Sequence, residues 1–246
     1  SAYLEYGMHQ NEGFIVITGE VGAGKTTIVR HMLDGLDEDR FLAAQLVSTQ
    51  IDAEDTLRLV GAAFGIRTRD VEKADVLMSL EAYLISMTSK GKRCLLVVDE
   101  AQNLTSRAVE ELRMLSNFQY GNHALLQSFL IGQPEFRNIL QSPQMTQFRQ
   151  RVIASSHIGP MDVEETRGYV EHRLKCAGAT GCPTFTPGSF EAIFKATSGI
   201  PRRINSLCDR LLLSGFLNDK KEFDVSDVDT VADEIFEETQ GRSSGQ

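Results

Sequence analysis

Short apolar runs alternate with longer amphipathic stretches through the first two-thirds of this chain. The apolar runs, each of strand length, are Phe14–Ile17, Phe41–Val47, Cys94–Val98, Leu125–Ile131 and Val152–Ile158. The stretches with helical periodicity are Thr26–Leu36, Ala53–Phe64, Val71–Thr88, Ser106–Ser116 and Pro134–Leu140. Strands that alternate with helices in this way form a parallel sheet that is covered by helices on both faces. The pattern therefore predicts a three-layer α/β domain around a parallel five-stranded sheet.

The pattern changes after Pro160, where helical periodicity continues and no further strand is evident. The later helical stretches are Glu164–Cys176, Pro187–Thr197, Arg202–Phe216 and Val225–Phe236. We therefore expect an α/β domain over residues 1–160 and a small all-helical domain over residues 161–240. The last six residues, 241–246, have the composition of a disordered tail.

Composition narrows the possible partners and locations. The chain has 246 residues, with 25 Lys and Arg against 34 Asp and Glu, which gives a formal net charge of −9. This excess of negative charge disfavours an extended nucleic-acid interface, although a local basic patch is compatible with it. No apolar run approaches the ~20 residues of a membrane-spanning helix. The four cysteines form no CxxC pair, so we expect buried thiols at Cys94 and Cys208 and a reducing, cytoplasmic location.

The string GEVGAGKT lies between the first predicted strand and the first predicted helix. A glycine, four residues and then Gly-Lys-Thr is the spacing of a phosphate-binding loop, in which backbone N–H groups point at phosphate oxygens. The helix that follows adds the partial positive charge of its N-terminus. Lys25 is expected to bridge the β- and γ-phosphates, and the Thr26 hydroxyl to bind Mg²⁺. The expected nucleotide-binding residues of this segment are Gly19, Glu20, Val21, Gly22, Ala23, Gly24, Lys25, Thr26 and Thr27.

Polar residues end two of the later predicted strands. Asp99 closes the third apolar run, where it is placed to hold Mg²⁺, and Glu100 follows it directly. A carboxylate in that position can orient the water that attacks a γ-phosphate. Gln133 follows the fourth run, and strand ends in such sheets hold ligands. Together with the glycine-rich string, the acidic pair indicates hydrolysis of a nucleoside triphosphate.

Arginines at two places could stabilise the charge of a phosphate. Arg149 and Arg151 precede the last predicted strand, and an arginine near a subunit edge can reach the nucleotide of a neighbouring subunit. Arg202 follows Pro201 at the start of a helix, which points a cation toward the nucleotide. The alternative for all three arginines is a solvated surface side chain.

With these motifs the chain resembles the AAA+ ATPases, in particular the ExeA/GspA-like secretion ATPases and the similar ATPases that accompany exosortase (PEP-CTERM) and exopolysaccharide loci. The segments that carry the resemblance are Gly13–Glu20, Val97–Leu104, Gly132–Arg137 and Gly199–Asp209. The string Glu110–Gln119 is particularly similar to the exosortase-associated group.

The resemblance implies a P-loop nucleotide-binding domain that is followed by a helical lid, with ATP and Mg²⁺ as ligands. It casts Gln133 as sensor 1, Arg202 beside Pro201 as sensor 2, Arg151 as the arginine finger and Arg149 as the second candidate for the finger. A finger acts on the next subunit, so the resemblance implies a homo-oligomeric ring. It further implies a protein partner in an envelope or secretion system and a cytoplasmic site at the inner face of the inner membrane. Membrane association would then depend on segments or partners outside this chain.

Two other functions compete with an export ATPase. One is a DNA-associated ATPase like the transposition regulators TnsC and TniB, which share the motifs of this branch; the net charge of −9 argues against extended DNA contact. The other is a nucleotide-gated scaffold with little turnover, and the presence of Glu100 argues against it. The fold alone decides among none of the three.

Overall fold

The structure is a computed structural model that describes residues 12–47 and 52–243. The chain divides into two compact units. The first holds the described residues up to Val21 together with Lys25–Ile158, and the second holds Gly22–Gly24 and the described residues from Gly159 onwards. Residues 1–11 of the expected α/β domain and residues 244–246 of the expected tail lie outside the described part of the chain.

The first unit contains the predicted parallel sheet. Its strands are β1 (Phe14–Gly19), β2 (Phe41–Val47), β3 (Arg93–Asp99), β4 (Gln119–Tyr120), β5 (His123–Ala124), β6 (Leu126–Gly132) and β7 (Val152–Ile158). Five of them form one sheet in the order β2-β3-β6-β1-β7, and each neighbouring pair is parallel. The short strands β4 and β5 form a separate antiparallel pair. The prediction of a parallel five-stranded sheet is confirmed.

Helices cover both faces of this sheet. They are α1 (Lys25–Asp34), α2 (Ala53–Ala63), α3 (Lys73–Ser89), α4 (Ser106–Leu115), α5 (Glu135–Gln141) and α6 (Thr146–Arg149). Single 3₁₀ turns occur at Ala101–Asn103 and Pro143–Met145. Side-chain caps fix two of the starts, since Asp52 accepts from the Ala53 N–H and Thr105 accepts from the Ala108 N–H.

The core lies on both sides of the central strands. Every residue of β1 and β6 is buried, whereas the edge strands β2 and β7 include exposed positions. Alternate side chains of β1 enter different clusters: Ile15 packs with Val29 of α1, and Val16 packs with Leu80 of α3 and Leu112 of α4. A sheet that is buried on both faces explains why its strands are continuously apolar in the sequence.

The second unit is mainly helical, as predicted. Its helices are α7 (Val163–Cys176), α8 (Pro187–Thr197), α9 (Pro201–Leu217) and α10 (Val225–Ser243), and its strands are β8 (Thr184–Phe185) and β9 (Glu222–Phe223). A capping box at Asp162 and Glu165 begins α7, and Pro residues occupy the first turns of α8 and α9. The core includes Ile193, Leu211 and Val228, which are fully buried.

The structure differs from the sequence-based expectation at two places in this unit. The strands β8 and β9 pair in parallel over two residues each, where no strand was expected. Two residues are too few to show a period in the sequence, and the pairing accompanies the packing of the Phe185 and Phe223 rings, whose centroids are 5.1 Å apart. In addition, α10 continues to Ser243, beyond the expected start of a disordered tail at Gly241.

Candidate nucleotide site

Three segments that follow parallel strands meet at one edge of the sheet. The glycine-rich loop follows β1, Asp99 ends β3 with Glu100 directly after it, and Gln133 follows β6. In the sheet β6 lies between β3 and β1, so the three strand ends are adjacent. This edge, at the carboxyl ends of the strands, is where open α/β sheets bind ligands.

The backbone of the glycine-rich loop requires glycine at two positions. Gly22 and Gly24 have φ values of +82° and +85°, a left-handed conformation that other residues rarely adopt. A Cβ on Gly24 would have no atom within 4 Å, so the space beside this backbone is open. Within the loop Ala23 is buried, whereas Glu20 and Val21 are exposed. Successive backbone N–H groups in such a conformation, with open space beside them, suit an anion such as phosphate.

The Lys25 ammonium group closes the loop on itself. Its Nζ donates to the carbonyl oxygens of Gly19 at 2.7 Å and Glu20 at 2.9 Å. Lys25 is 9% exposed, and burial lowers its pKa below the usual lysine value, while four nearby carboxylates, led by that of Glu100, act in the opposite direction. An ammonium has three donors, so two of them hold the loop and the third stays available for a phosphate oxygen.

Thr26 and Asp99 place a hydroxyl and a carboxylate side by side. The Thr26 hydroxyl donates to Asp99 Oδ2 at 2.8 Å, and the backbone N–H of Glu100 donates to Asp99 Oδ1 at 2.9 Å. One hydroxyl and one carboxylate suit Mg²⁺, which proteins usually bind through one or two carboxylates together with substrate phosphates. Thr27, the next residue of α1, is exposed.

Glu100 has an unusual backbone and two amide partners. Its φ and ψ are 54° and 41°, the left-handed region, which costs a non-glycine residue about 1 kcal/mol or more. The Gln102 side-chain amide donates to Glu100 Oε2 at 2.5 Å, and the Gln133 side-chain amide donates to the same oxygen at 3.3 Å. Residues held in such conformations cluster at functional sites. The structure thus places the Gln133 amide beside the Glu100 carboxylate.

Gln102 is the residue that the sequence reasoning missed. It lies in the 3₁₀ turn after Glu100, and its Oε1 accepts from the backbone N–H of Gln133 at 2.9 Å. The signal in the sequence was a polar pair, Gln102 and Asn103, between the apolar Ala101 and Leu104, which the structure shows to be buried. Spacing alone gave it no role, because its partner Gln133 is 31 residues away in the chain.

The two candidate finger arginines lie in different surroundings. Arg149 donates to the carbonyl oxygens of Leu140 and Ser142, at 2.6 and 2.8 Å, and to the Thr146 hydroxyl at 2.9 Å. The bonds to Leu140 and Ser142 tie the short helix α6 to the end of α5. Arg151 makes one described side-chain hydrogen bond, to Asn117 Oδ1 at 2.6 Å. Neither arginine is joined to the site residues by a hydrogen bond in the described part of the chain.

Pro201 and Arg202 begin α9 in the second unit. Pro201 is buried and the Arg202 side chain is exposed. The Arg202 backbone N–H donates to the carbonyl oxygen of Gly22, at 3.2 Å, and Gly22 is grouped with the same unit. A Cβ on Gly22 would lie 2.6 Å from the Arg202 Cβ, so this position requires glycine for space as well as for its φ.

Other kinds of site have little support. Residues 12–47 and 52–243 contain no group of three or more His, Cys, Asp or Glu side chains arranged to hold a metal ion. His172 Nε2 and Cys176 Sγ are 3.5 Å apart on the surface of α7. No helix in the same described ranges combines the length and the apolar content needed to cross a membrane.

Comparison with known sequences identifies the family. The sequence profile of the AAA domain matches residues 8–140, slightly more than half of the chain. General secretion pathway protein A of Aeromonas hydrophila is 34% identical over 235 residues, which make up 95% of this chain and 43% of that protein. The chain therefore spans less than half the length of this relative.

Solved structures show the same fold at low sequence identity. The ORC2 protein of Aeropyrum pernix in its ADP form has a TM-score of 0.70 and 15% identity, over 95% of this chain and 66% of that one. The RuvB Holliday junction branch migration motor of Thermotoga maritima has a TM-score of 0.57 and 16% identity, over 90% of this chain and 61% of that one. At this identity the likeness concerns the fold alone. The matches to the AAA domain and to the secretion protein carry the assignment: the chain belongs to the AAA+ ATPases, in the ExeA/GspA-like family.

Proposed function

We propose that this protein binds ATP with Mg²⁺ and hydrolyses it. The observation that carries the proposal is the cluster at the carboxyl ends of β3 and β6. There the Thr26–Asp99 hydrogen bond offers a metal site, and Glu100 stands beside it with an amide partner in Gln133. Oxygen ligands for Mg²⁺ next to a second carboxylate are the groups that phosphoryl transfer to water requires.

The glycine-rich loop and Lys25 bind the triphosphate in this proposal. Backbone N–H groups from Gly22 onwards and the N-terminus of α1 face the phosphate oxygens, and the third Lys25 donor reaches the β- and γ-phosphates. Thr26 and Asp99 would hold Mg²⁺, which when bound would neutralise negative charge on the phosphates. Binding thus places the γ-phosphate within reach of the residues that follow β3.

Glu100 is the proposed catalytic base. It orients a water so that the water oxygen bonds to the γ-phosphorus as the bond to the bridging oxygen of ADP breaks, and it accepts the proton that the water loses. Gln133 contacts the Glu100 carboxylate and directly follows the neighbouring strand β6, which is a suitable position to sense the γ-phosphate. Arg202 at the start of α9 and Arg151 from an adjacent subunit are proposed to stabilise the charge of the transition state.

A single substitution separates binding from turnover. Glu100→Gln keeps the size of the side chain and removes the base, so we expect wild-type affinity for a fluorescent ATP analogue and a loss of turnover of 100-fold or more. Glu191→Gln, at an exposed position of α8, is the matched control and should hydrolyse ATP at the wild-type rate. Wild-type turnover in Glu100→Gln would overturn the role of Glu100. Absence of turnover in the wild-type protein at any concentration would overturn the proposal as a whole.

We further propose that hydrolysis serves a cell-envelope secretion system, of the exosortase or exopolysaccharide type. The identity of 34% to general secretion pathway protein A over 95% of the chain supports the secretion branch. The protein would act as a homo-oligomeric ring in the cytoplasm, at the inner face of the inner membrane, with a protein of that system as its partner. A ring predicts a specific ATPase activity that rises with protein concentration, and a constant specific activity would contradict it.

Genetic complementation tests this role. Deletion of the gene should abolish export of the polysaccharide or of sorted proteins, and the wild-type gene should restore export whereas the Glu100→Gln gene should not. Unchanged export after deletion would overturn the secretion role while leaving the ATPase proposal standing. ATP-dependent binding to duplex DNA that weakens steeply with salt would favour the DNA-associated alternative.

A further inference from the structure

We infer that Gln102 is a positioning residue that fixes the Glu100 carboxylate and joins it to the sensor segment at Gln133. The inference rests on the proposed function, because it assigns Gln102 a part in the hydrolysis that Glu100 is proposed to catalyse. It goes beyond that function by naming a residue outside the phosphate loop, the acidic pair, the sensors and the finger.

The side chain of Gln102 makes two hydrogen bonds of opposite sense. Its amide nitrogen donates to Glu100 Oε2, and its amide oxygen accepts from the backbone N–H of Gln133. Because β3 and β6 are neighbours in the sheet, this one side chain bridges the segments that follow two adjacent strands. A side chain with both a donor and an acceptor is required for such a bridge, and an amide supplies both.

The bridge determines which Glu100 oxygen meets the water. The Gln102 and Gln133 amides both donate to Oε2, so the described contacts occupy one side of the carboxylate. The inference assigns the attacking water to Oε1. Without Gln102, the 3.3 Å contact from Gln133 would be the one side-chain hydrogen bond left to the carboxylate among the described residues, and the carboxylate could rotate away from the water.

The backbone around Gln102 is fitted to this bridge. Glu100 is held in a left-handed conformation immediately before the 3₁₀ turn that carries Gln102. Gly132, at the end of β6, lies against the turn, and a Cβ there would come within 3.2 Å of Gln102 Oε1 and 3.4 Å of the Gln102 backbone nitrogen. Close packing at both ends leaves the Gln102 amide little freedom, which is what a positioning residue needs.

Two substitutions that keep the side chain close to the size of Gln distinguish the two hydrogen bonds of the bridge, the one to Glu100 and the one from Gln133. Gln102→Met removes both hydrogen bonds, whereas Gln102→Glu keeps the acceptor for the Gln133 N–H and loses the donor to Glu100. We expect each variant to lower kcat at least 10-fold with a KM for ATP within threefold of the wild-type value, since nucleotide binding does not use Gln102. Gln147→Met, at an exposed position of α6, is the matched control and should keep the wild-type kcat. A kcat within twofold of wild type in both variants would overturn the inference.

A measurement without turnover separates this inference from the proposed function. In ¹⁵N-labelled protein the Gln102 side-chain amide resonance, assigned by its loss in Gln102→Met, should move in Glu100→Gln, because a neutral acceptor replaces a carboxylate. The Gln133 backbone amide resonance should move in Gln102→Met, which removes its acceptor, and should move in the opposite direction in Gln102→Glu, where a carboxylate replaces the neutral amide oxygen as acceptor. Resonances that do not respond would overturn the bridge even if the protein hydrolyses ATP. Resonances that respond in a protein without turnover would establish the contacts and overturn the proposed function, and with it the positioning role.

Thermal unfolding excludes a purely structural role. If Gln102→Met lowers kcat only in proportion to its loss of folded protein, or raises KM as much as it lowers kcat, then Gln102 supports the fold and the inference is wrong. The expected result is a melting temperature within a few degrees of wild type together with the selective loss of kcat.

Discussion

The Thr26 hydroxyl donates a hydrogen bond to Asp99 Oδ2 at 2.8 Å, which joins the first turn of α1 to the end of β3. The two residues are 73 positions apart in the chain. Thr26 lies in the helix that follows β1 and Asp99 ends β3, and these two strands are not neighbours, since β6 lies between them. Neither residue is needed for the other's secondary structure. Their juxtaposition fits the proposed Mg²⁺ site, because one hydroxyl and one carboxylate suit that ion.

Substitution of Thr26 or Asp99 should raise the Mg²⁺ concentration that ATP hydrolysis requires. For Thr26→Val and for Asp99→Asn we expect the Mg²⁺ concentration that gives half-maximal ATP hydrolysis to rise 10-fold or more, because each variant removes a ligand or its charge. The measurement is a Mg²⁺ titration at saturating ATP. Thr230→Val, which removes an exposed hydroxyl on α10, should leave the titration unchanged. A wild-type magnesium requirement in both site variants would contradict the assignment.

Lys25→Ala should abolish nucleotide binding. The substitution removes the charge that would face the phosphates and also the hydrogen bonds that Nζ makes to the Gly19 and Glu20 carbonyl oxygens. Charge-assisted hydrogen bonds contribute about 1.5–3 kcal/mol each, so the affinity for a fluorescent ATP analogue should fall by 100-fold or more.

The control for this substitution is Lys90→Ala, at an exposed position after α3. It should bind the analogue with wild-type affinity. Circular dichroism checks that both variants are folded. Binding by Lys25→Ala that is within threefold of wild type would show that the glycine-rich loop is not the phosphate site.

Sequence patterns predicted those features that depend on neighbours along the chain. The five strands follow from continuous apolar runs, and the loop around Gly22 and Gly24 follows from a spacing that needs left-handed glycines. Contacts that depend on the order of strands in the sheet could not be predicted from the sequence. The hydrogen bond from Gln133 to Gln102 exists because β6 lies beside β3, and a linear pattern does not specify that order.

The burial of the cysteines was likewise predictable from the sequence only in part. Burial was expected for Cys94 and Cys208; Cys94 is buried, and Cys208 is intermediate. Cys94 is buried whichever face of the sheet its side chain lies on, because helices cover both faces. The exposure of Cys208 depends on how the neighbouring helices cover α9, which helical periodicity alone does not determine.

Thiol reactivity should divide the four cysteines into two pairs. Burial raises the pKa of Cys94 to about 11 and that of Cys208 to about 12, with a further contribution from Asp209 at Cys208. Only the thiolate reacts, so both should be slow at pH 8, whereas the exposed Cys176 and Cys182 should be fast. Ellman's reagent should therefore show a rapid phase from two thiols of the native protein and the other two after unfolding.

Substitution assigns the rapid phase. The double variant Cys176→Ser, Cys182→Ser should lose it, and Cys208→Ser should keep it in full. Four thiols that react at one rate would contradict the raised pKa values of Cys94 and Cys208.

Arg149→Ala should lower stability more than Arg151→Ala does. The Arg149 guanidinium makes three hydrogen bonds, two that join α6 to the end of α5 and one to Thr146 within α6, whereas Arg151 makes one described side-chain bond, to Asn117. We expect Arg149→Ala to cost about 1–2 kcal/mol, a shift of several degrees in melting temperature. Differential scanning calorimetry of the two variants measures the difference. Equal melting temperatures would show that the bonds of Arg149 contribute nothing to stability.

Arg151→Ala should instead lower ATP turnover in the oligomer, by 10-fold or more, with nucleotide affinity unchanged, because the proposed finger stabilises charge in the transition state on an adjacent subunit. Mixing distinguishes that role from one within the same subunit. An Arg151→Ala subunit keeps its phosphate loop, and a Lys25→Ala subunit keeps its finger, so a mixture of these two inactive proteins should regain turnover that neither has alone. The double variant Lys25→Ala, Arg151→Ala, mixed with Arg151→Ala, has no finger to offer and should give no recovery. A mixture of the single variants that stays inactive, although it forms oligomers of wild-type size, would contradict action between subunits.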